Sequence, residues 1–268
     1  MLNQSFKRHL INAQMSPNTI RAYCFAVEEY FSKFQIVSRA NLLEYKRFLI
    51  ENNSPNTANL RIRAMNRYLR FIGKEKMALQ GVRIQQRSFL GDILDNEKYE
   101  RFKNHLKKES NQQWYFVASV LATTGIRVGE LINIKAENVA QGFFDIYGKG
   151  GKFRRVFLVD SLRKELMEWI NNENRERGPL FRNKFGDQIT TRGISLQLQR
   201  LAQKYGIEPS KVHPHAFRHL FARNFLGKTG DVALLADLLG HSSIETTRIY
   251  LRKTSDEQHR IVEKVITW

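Results

Sequence analysis

The chain contains a single cysteine, no long apolar run and comparatively few acidic residues. Cys24 is the only cysteine among 268 residues, which excludes a disulfide within the chain and a zinc site built on several cysteines. No apolar run approaches the about 20 residues that a membrane span requires. The N-terminal stretch also lacks the apolar core of a signal peptide. We therefore expect a soluble cytoplasmic protein with no membrane partner.

The sequence lacks two motifs that are typical of enzymes acting on phosphates. The glycine-lysine turn GKGGK at residues 148–152 has the wrong spacing for a nucleotide phosphate loop, and β-forming residues follow it instead of a helix. No cluster of carboxylates suited to Mg²⁺ is evident in the sequence. These absences argue against an NTPase and against a two-metal nuclease, and we predict no metal site.

Acidic residues are scarce relative to basic ones. The chain has 44 Lys and Arg against 26 Asp and Glu, which gives a formal net charge of +18. The first ninety residues hold 15 of the basic residues but only five of the acidic ones. Because such an excess repels itself unless a polyanion shares the surface, nucleic acid is the favoured partner.

Hydrophobic residues make up 42% of the chain, enough for a folded core. Apolar residues recur at helical spacing through most of the sequence, and β-forming residues flank the GKGGK turn. We therefore predict a mainly α protein with a small β-hairpin. Residues 1–80 are predicted to form a helical domain, the polar and basic residues 81–91 a linker, and residues 92–268 a second domain.

Local signals predict where several helices begin and end. Ser16 and Ser54 each precede Pro-Asn-Thr, so each is a predicted N-cap followed by proline at the first helical position. Asp95 is a third predicted N-cap. Gly125 follows a helix that is apolar on nearly every side, which predicts a buried helix ending at this glycine.

The helix after Ser54 alternates apolar and basic side chains, so it can pack one face and offer guanidinium groups on the other. An ordinary solvated face is an equally good interpretation of this helix by itself. The basic bias of the whole segment favours DNA contact. The predicted contacts are Arg61, Arg63, Arg67 and Arg70.

Arg127 directly follows the buried helix, in TTGIRVGELINI. An arginine at the edge of a core helix is costly unless it meets an anion, and its guanidinium can hold two phosphate oxygens. Glu130 lies three residues later and is close enough to support it. A purely structural Arg–Glu pair remains an equal alternative from this stretch alone.

Lysines occupy the predicted hairpin turn. Lys149 at its tip could enter a DNA groove and donate a proton, although most turn lysines are ordinary solvated residues. Lys152 and Arg154, beside the turn, are further predicted DNA contacts.

His215 and Arg218 stand three residues apart in HPHAFRH, so they share one face of a helix. A single histidine beside a core is usually structural, but a His-x-x-Arg pair on the polar face of an apolar helix favours function. His219 is interpreted as a structural residue within the same motif.

The segment LLGHSSIETTRIY contains His241 and, nine residues later, Tyr250. Gly240 ends one helix, and Ser242 with Glu245 predicts a capping box for the next. A helix-turn-helix with SSIETTRIY as its recognition helix is an equally good interpretation of this segment alone. That interpretation leaves the other basic residues of the second domain unexplained.

Considered together, these residues suit phosphoryl transfer. A tyrosine would form a covalent phosphoester, arginines would neutralise the developing charge, and histidine and lysine would move protons. A tyrosine is a weak nucleophile at its free pKa of about 10, and nearby cations would stabilise its phenolate.

The ordered motifs TGIRVGEL, GKGGK, HPHAFRH and LLGHSSIETTRIY resemble those of the tyrosine recombinases, the phage-integrase and Xer-like family. The resemblance covers essentially the whole chain, and no catalytic position departs from the family pattern. It implies a helical core-binding domain joined to a mainly helical catalytic domain, the two forming a clamp on duplex DNA. It assigns Glu130 a supporting role beside the first arginine. The implied catalytic residues are Arg127, Lys149, His215, Arg218, His241 and Tyr250.

The resemblance also implies the reaction. Tyr250 would form a 3′-phosphotyrosyl link, Lys149 would protonate the leaving 5′ oxygen, and His215 would act as acid and base. Arg127, Arg218 and His241 would hold the phosphorane. No cofactor is required. Four protomers on two DNA sites would exchange strands through a Holliday junction. Partner recombinases and accessory proteins are not identifiable from the sequence.

The residues after Tyr250 carry a narrow apolar stripe that predicts a terminal helix, which docks either on its own domain or, as the resemblance implies, on a neighbouring protomer. Two other functions stay open at this point, a type IB topoisomerase and a non-catalytic helix-turn-helix regulator. The stripe comprises Ile261, Val262, Val265, Ile266 and Trp268.

Overall fold

The computed structural model describes residues 2–83, 94–147, 153–241, 243–251, 259 and 262–266. The chain divides into two compact units, residues 1–87 and residues 88–268.

The described residues of the first unit form four α-helices and a short 3₁₀ turn. Ser16 and Ser54 cap the second and fourth helices, each hydroxyl accepting a hydrogen bond from the backbone N–H three residues later. The two predicted Ser-Pro helix starts are therefore confirmed. The helices are α1 (Leu2–Asn12), α2 (Pro17–Lys33), α3 (Arg39–Asn52) and α4 (Pro55–Phe71).

Aromatic rings form the centre of the first unit. Tyr30 and Tyr45 pack edge to face with ring centroids 5.3 Å apart, and Phe6 and Tyr68 do so at 5.2 Å. All four side chains are buried. Edge-to-face pairs of this kind add a little stability beyond the burial of their apolar area.

The part of the second unit that the structure describes is mainly helical and contains one small antiparallel sheet. Asp95 caps its first helix as predicted, accepting a hydrogen bond from the Lys98 N–H. The elements are α5 (Asn96–Lys108), α6 (Gln112–Thr124), α7 (Val128–Leu131), α8 (Ala136–Val139), β1 (Phe143–Tyr147), β2 (Phe153–Phe157), α9 (Asp160–Asn172), α10 (Thr191–Lys204), α11 (Pro214–Thr229), α12 (Val232–Leu239) and α13 (Ile244–Arg248).

Helix α6 is the buried helix that the sequence predicted, and Gly125 ends it in a left-handed conformation with φ +61°. A Cβ atom at this glycine would lie 2.5 Å from the Phe221 ring and 2.8 Å from the Leu239 side chain. Only glycine therefore allows the end of α6 to approach α11 and α12 this closely.

The predicted hairpin is confirmed as two strands, β1 and β2, which pair antiparallel with Phe143 opposite Phe157 and Tyr147 opposite Phe153. The turn that joins them, with the predicted site residues Lys149 and Lys152, lies outside the described residues.

The last helices differ from the prediction in one cap. Ser243 caps α13, its hydroxyl accepting from the Glu245 N–H, whereas the predicted cap Ser242 lies outside the described residues. A 3₁₀ turn, Ile249–Leu251, follows α13 and contains Tyr250.

Only part of the predicted terminal helix is described. Residues 262–265 are helical, and Val262, Val265 and Ile266 are about half exposed. Ile261 and Trp268 lie outside the described residues. No helix in the described parts of the chain is long and apolar enough to cross a membrane.

Candidate active site

Arg218 is one of the predicted catalytic residues, and its side chain is only 2% exposed. Its Nη1 donates a hydrogen bond to the Gly125 carbonyl at 2.7 Å, and its Nη2 donates to the Leu239 carbonyl at 2.7 Å. These carbonyls lie at the C-terminal ends of α6 and α12, where the helix leaves acceptors unpaired and carries partial negative charge. A buried arginine thus joins the ends of two helices, and the helix ends compensate its charge.

Burial lowers the pKa of Arg218, and the positive charge of Arg127 acts in the same direction. Tyr250 acts in the opposite direction, by electrostatic attraction and by a hydrogen bond. Because arginine stays protonated in proteins, the site keeps a buried cation beside the tyrosine hydroxyl.

Arg127 and Glu130 form the pair that the sequence predicted. Arg127 is the N-cap of α7, and its backbone N–H donates to Glu130 Oε2 at 2.8 Å while its Nη1 donates to Oε1 at 3.1 Å. The Arg127 side chain remains 45% exposed. A guanidinium that is anchored at one end and open to solvent at the other can bind an anion.

A second arginine holds Glu130 from the opposite side. Arg154 on β2 donates to both carboxylate oxygens of Glu130, at 2.9 and 2.7 Å. Its Nε donates to the Leu238 carbonyl at 3.1 Å. Burial would raise the pKa of Glu130, but the hydrogen bonds from Arg154 and from the Arg127 backbone keep it below its ordinary value.

Arg154 was predicted from the sequence as a DNA contact, and the structure gives its side chain other partners. The side chain is 10% exposed, and its guanidinium faces Glu130 and the Leu238 carbonyl. Gly240 has φ +64°, and a Cβ there would lie 2.7 Å from the Arg154 Cδ. Arg154 therefore connects the hairpin with the turn after α12.

His241 follows that turn and uses both of its ring nitrogens. Nε2 lies 2.9 Å from Arg218 Nη2, and Nδ1 lies 2.8 Å from the hydroxyl of Thr247. Burial, followed by the charges of Arg218, Arg127 and Arg154, lowers the pKa of His241 to about 4. The ring is therefore neutral at pH 7.

Tyr250 is 4% exposed and packs between two histidines. Its ring stacks on His241 with centroids 6.0 Å apart and meets His219 edge to face at 4.9 Å. His219 in turn contacts His215 at 5.0 Å. Burial and neighbouring cations lower the pKa of His219 to about 4, and they also lower that of the surface residue His215.

A model of the phage integrase family matches residues 92–257, which is more than half of the chain. The chain belongs to the phage integrase family. Tyrosine recombinase XerA of Thermococcus kodakarensis is 29% identical to it, over 97% of this chain and 94% of the relative. The resemblance to the tyrosine recombinases that the motifs indicated is thereby confirmed.

Solved structures of an integrase and of a recombinase share the fold. A crystal structure of a lambda integrase dimer bound to a COC′ core site matches with a TM-score of 0.76 at 15% identity, covering 93% of each chain. XerH recombinase in a pre-cleavage complex with difH matches with a TM-score of 0.67 at 24% identity, covering 91% of this chain and 78% of that one. The prediction of a mainly helical fold with a small hairpin is confirmed.

The structure brings most of the family's motif residues together in the second unit. Arg127, Glu130, Arg218, His241 and Tyr250 are linked by hydrogen bonds or ring contacts, and His215 joins them through His219. Arg127 is connected to the residue before His241, because its Nη2 donates to the Gly240 carbonyl at 3.5 Å.

The four predicted arginines of α4 do not form such a cluster. Arg61 folds over the Phe25 ring at 4.1 Å, and its Nε lies 3.7 Å from a carboxylate oxygen of Glu29. Arg63 donates to a carbonyl of its own helix, whereas Arg70 lies 3.7 Å from Glu75. The fourth, Arg67, is partly buried. Arg63 and Arg70 are exposed and therefore accessible to an anionic partner.

The sequence interpretation missed Thr247, whose side chain is 0% exposed and contacts His241. The only available signal was its position three residues before Tyr250, which does not distinguish it from the neighbouring, exposed Thr246. The second helix of the helix-turn-helix interpretation, α13, is only five residues long, with Thr247 buried and Ile244, Glu245 and Thr246 exposed.

Proposed function

We propose that the protein is a site-specific recombinase that cleaves and rejoins duplex DNA through a covalent bond between Tyr250 and a 3′ phosphate. One observation carries the proposal: the Tyr250 ring stacks on His241, which is hydrogen-bonded to the buried cation Arg218. The net charge of +18 supports a polyanionic substrate.

In the proposed reaction, the hydroxyl oxygen of Tyr250 forms a bond to phosphorus while the bond from phosphorus to the 5′ oxygen breaks. The hydroxyl loses its proton and the leaving oxygen gains one. The product is a 3′-phosphotyrosyl link and a free 5′ hydroxyl. Because the phosphotyrosyl bond preserves the energy of the phosphodiester, rejoining needs neither a nucleotide nor a metal.

The cations would stabilise the pentavalent phosphorus. Arg218 is hydrogen-bonded to His241 and to Tyr250, so its guanidinium would donate to a phosphate oxygen that reaches the tyrosine. Arg127 contributes an exposed guanidinium, and His241 lies beside both. Preorganised donors of this kind strengthen their contacts as charge develops in the transition state.

Proton transfer is assigned to two further residues. His215, at the surface of the cluster, would act as acid and base. Lys149, which lies outside the described residues, is proposed from the sequence as the donor to the leaving 5′ oxygen. For Lys149→Ala, a substrate with a 5′-phosphorothiolate leaving group should restore cleavage, since sulfur leaves without a proton. Absence of rescue would remove Lys149 from this role.

Strand exchange requires more than one copy of the chain. We propose four protomers on two DNA sites, exchanging strands in pairs through a Holliday junction. Val262, Val265 and Ile266 offer exposed apolar side chains near the end of the chain for contact between protomers. Deleting residues 258–268 should then weaken cooperative binding to paired half-sites while preserving binding to one site.

The decisive experiment is to trap the covalent intermediate. Duplexes selected by the protein from a random pool would be nicked to make suicide substrates, and protein-linked DNA would be resolved on a denaturing gel. Tyr250→Phe should bind the DNA but form no covalent complex, because only the attacking oxygen is removed. Tyr115→Phe is the matched control, since its hydroxyl contacts the remote Glu165. Covalent complexes with Tyr250→Phe would show that the nucleophile is a different residue.

A further inference from the structure

Thr247 is a buried polar residue to which neither the motifs nor the family resemblance gives a role. It lies on α13 and precedes Tyr250 by three residues. Its side chain is 0% exposed, and its hydroxyl lies 2.8 Å from His241 Nδ1. A buried hydroxyl without a partner is costly, so this contact contributes to the stability of the turn that contains the tyrosine.

The hydrogen bonds of His241 determine which of its nitrogens carries the proton. A guanidinium only donates hydrogen bonds, so Nε2 of His241 must accept from Arg218 Nη2. A neutral imidazole carries one proton, and that proton is therefore on Nδ1. Nδ1 donates it to the oxygen of Thr247.

The tautomer of His241 affects its contacts with the charged and aromatic groups that surround the ring. Arg218, Arg127, Arg154 and His215 all act on the His241 ring by charge, and the Tyr250 ring stacks on it. In these surroundings the ring is neutral at pH 7, so its contacts depend on a single proton. The opposite tautomer would place an N–H at Nε2 facing the N–H of Arg218, and that hydrogen bond could not form.

We infer that Thr247 is a positioning residue for the proposed recombination reaction: its buried hydroxyl accepts the Nδ1–H of His241 and holds the ring in place, with Nε2 as the acceptor that faces Arg218. The role rests on the proposed function, because Arg218 and His241 are the groups assigned to the phosphate. The Thr247 oxygen can accept Nδ1–H from both the neutral and the protonated ring. Binding of an anion at Nε2 therefore leaves the anchor in place.

The test compares variants that differ by a single oxygen. Thr247→Ser and Thr247→Ala both remove the methyl group, but only Ser keeps the hydroxyl. Nitrogen NMR of histidine-labelled, DNA-free protein reports the tautomer of His241, and suicide substrates report the rate of covalent complex formation at several pH values. Thr246→Val is the matched control, since Thr246 is exposed on the same helix.

We expect Ser to retain the Nδ1–H tautomer and most of the rate. Ala should leave the Nδ1–H of His241 without its acceptor and so shift the Nδ1 resonance, slow cleavage about 10- to 100-fold, as for the outer hydrogen-bond partners of metal-binding histidines, and shift the pH profile. Identical His241 Nδ1 resonances and identical rates in the Ser and Ala variants would overturn the inference, and Thr247 would then be a packing residue. If the wild-type protein trapped no DNA at all, the recombinase proposal would fail. A wild-type Nε2–H tautomer would overturn only the inference about Thr247.

Discussion

The two units use their arginines in different ways. On α4 of the first unit, Arg61, Arg63 and Arg70 each have a separate local partner along one helix. In the second unit, Arg127 and Arg154 converge on a single carboxylate, and Arg218 is buried among helix-end carbonyls nearby. The first arrangement spreads positive charge over a surface, and the second concentrates it at one point.

The two arrangements are expected to serve different purposes, DNA affinity in the first unit and the rate of cleavage in the second. Exposed and separated cations attract a polyanion over a distance comparable to the Debye length, and salt weakens that attraction. Buried cations with fixed partners act only on a group that reaches them, but they need no rearrangement when charge develops there. The comparison therefore predicts that substitutions in the two units will affect different measurements.

The largest expected effect is that of Arg218→Lys. Lysine keeps the charge, but its compact ammonium lacks the planar, forked guanidinium that lets Arg218 contact two carbonyls and an anion at once. Covalent complex formation should slow about 10²- to 10³-fold, while DNA affinity changes little. Arg63→Lys is the control in the first unit, and its cleavage rate should match the wild type. Comparable rates of covalent complex formation for the two variants would contradict the distinction between the arginines of the two units.

The second prediction concerns acid sensitivity. His219 and His241 have pKa values of about 4 in the folded protein but about 6.5 when unfolded. Between these values the unfolded chain binds more protons, so the free energy of unfolding should fall as pH decreases from about 6.5 to about 5. Chemical denaturation across this range measures the slope.

The His219→Phe variant should lose part of that slope, because phenylalanine can keep the contact with Tyr250 and does not titrate. A slope equal to that of the wild type would show that His219 does not contribute to the acid sensitivity.

Glu130→Gln is expected to have a smaller effect, on stability. Removing the carboxylate leaves the nearly buried Arg154 without its anionic partner, which should lower the free energy of unfolding by about 1.5–3 kcal/mol. Because the pKa of Glu130 is below its ordinary value in the folded state, its contribution is present near neutral pH. That contribution disappears as pH falls below the usual carboxylate range.

Asp145→Asn is the matched control for Glu130. It removes an equally bidentate arginine partner, the contact with Arg155 at 2.7 and 2.9 Å, from the exposed face of the hairpin. Solvent screening should make this change nearly silent. Equal losses of stability in the two variants would contradict the importance of burial at Glu130.

The smallest effect is expected for Arg63→Ala combined with Arg70→Ala. DNA binding should weaken, and the slope of log affinity against log salt should decrease by about 0.9 for each phosphate that the variant no longer neutralises. The cleavage rate at saturating DNA should not change. A slower rate with unchanged affinity would place these arginines in the chemistry instead of the binding surface.

Much of the fold could be predicted because its signals are local. Ser16, Ser54 and Asp95 cap helices through hydrogen bonds to backbone groups three residues away. Gly125 ends α6 because of its own backbone conformation. The cap of α13 was harder, since Ser242 and Ser243 are adjacent serines of similar propensity and only the described Ser243 is seen to cap it.

The residue types of the candidate site and their order along the chain are visible in the sequence, because a His-x-x-Arg pair on one helix and a tyrosine nine residues after a histidine are local patterns. The contacts that these residues make depend on the folded structure. Arg218 binds a carbonyl 93 positions away, and Arg154 turns inward to a carboxylate 24 positions away. The hydroxyl of Thr247 is functional only because folding buries it against His241. Such contacts depend on how helix ends pack against each other, and the pattern of residues along the chain does not encode that packing locally.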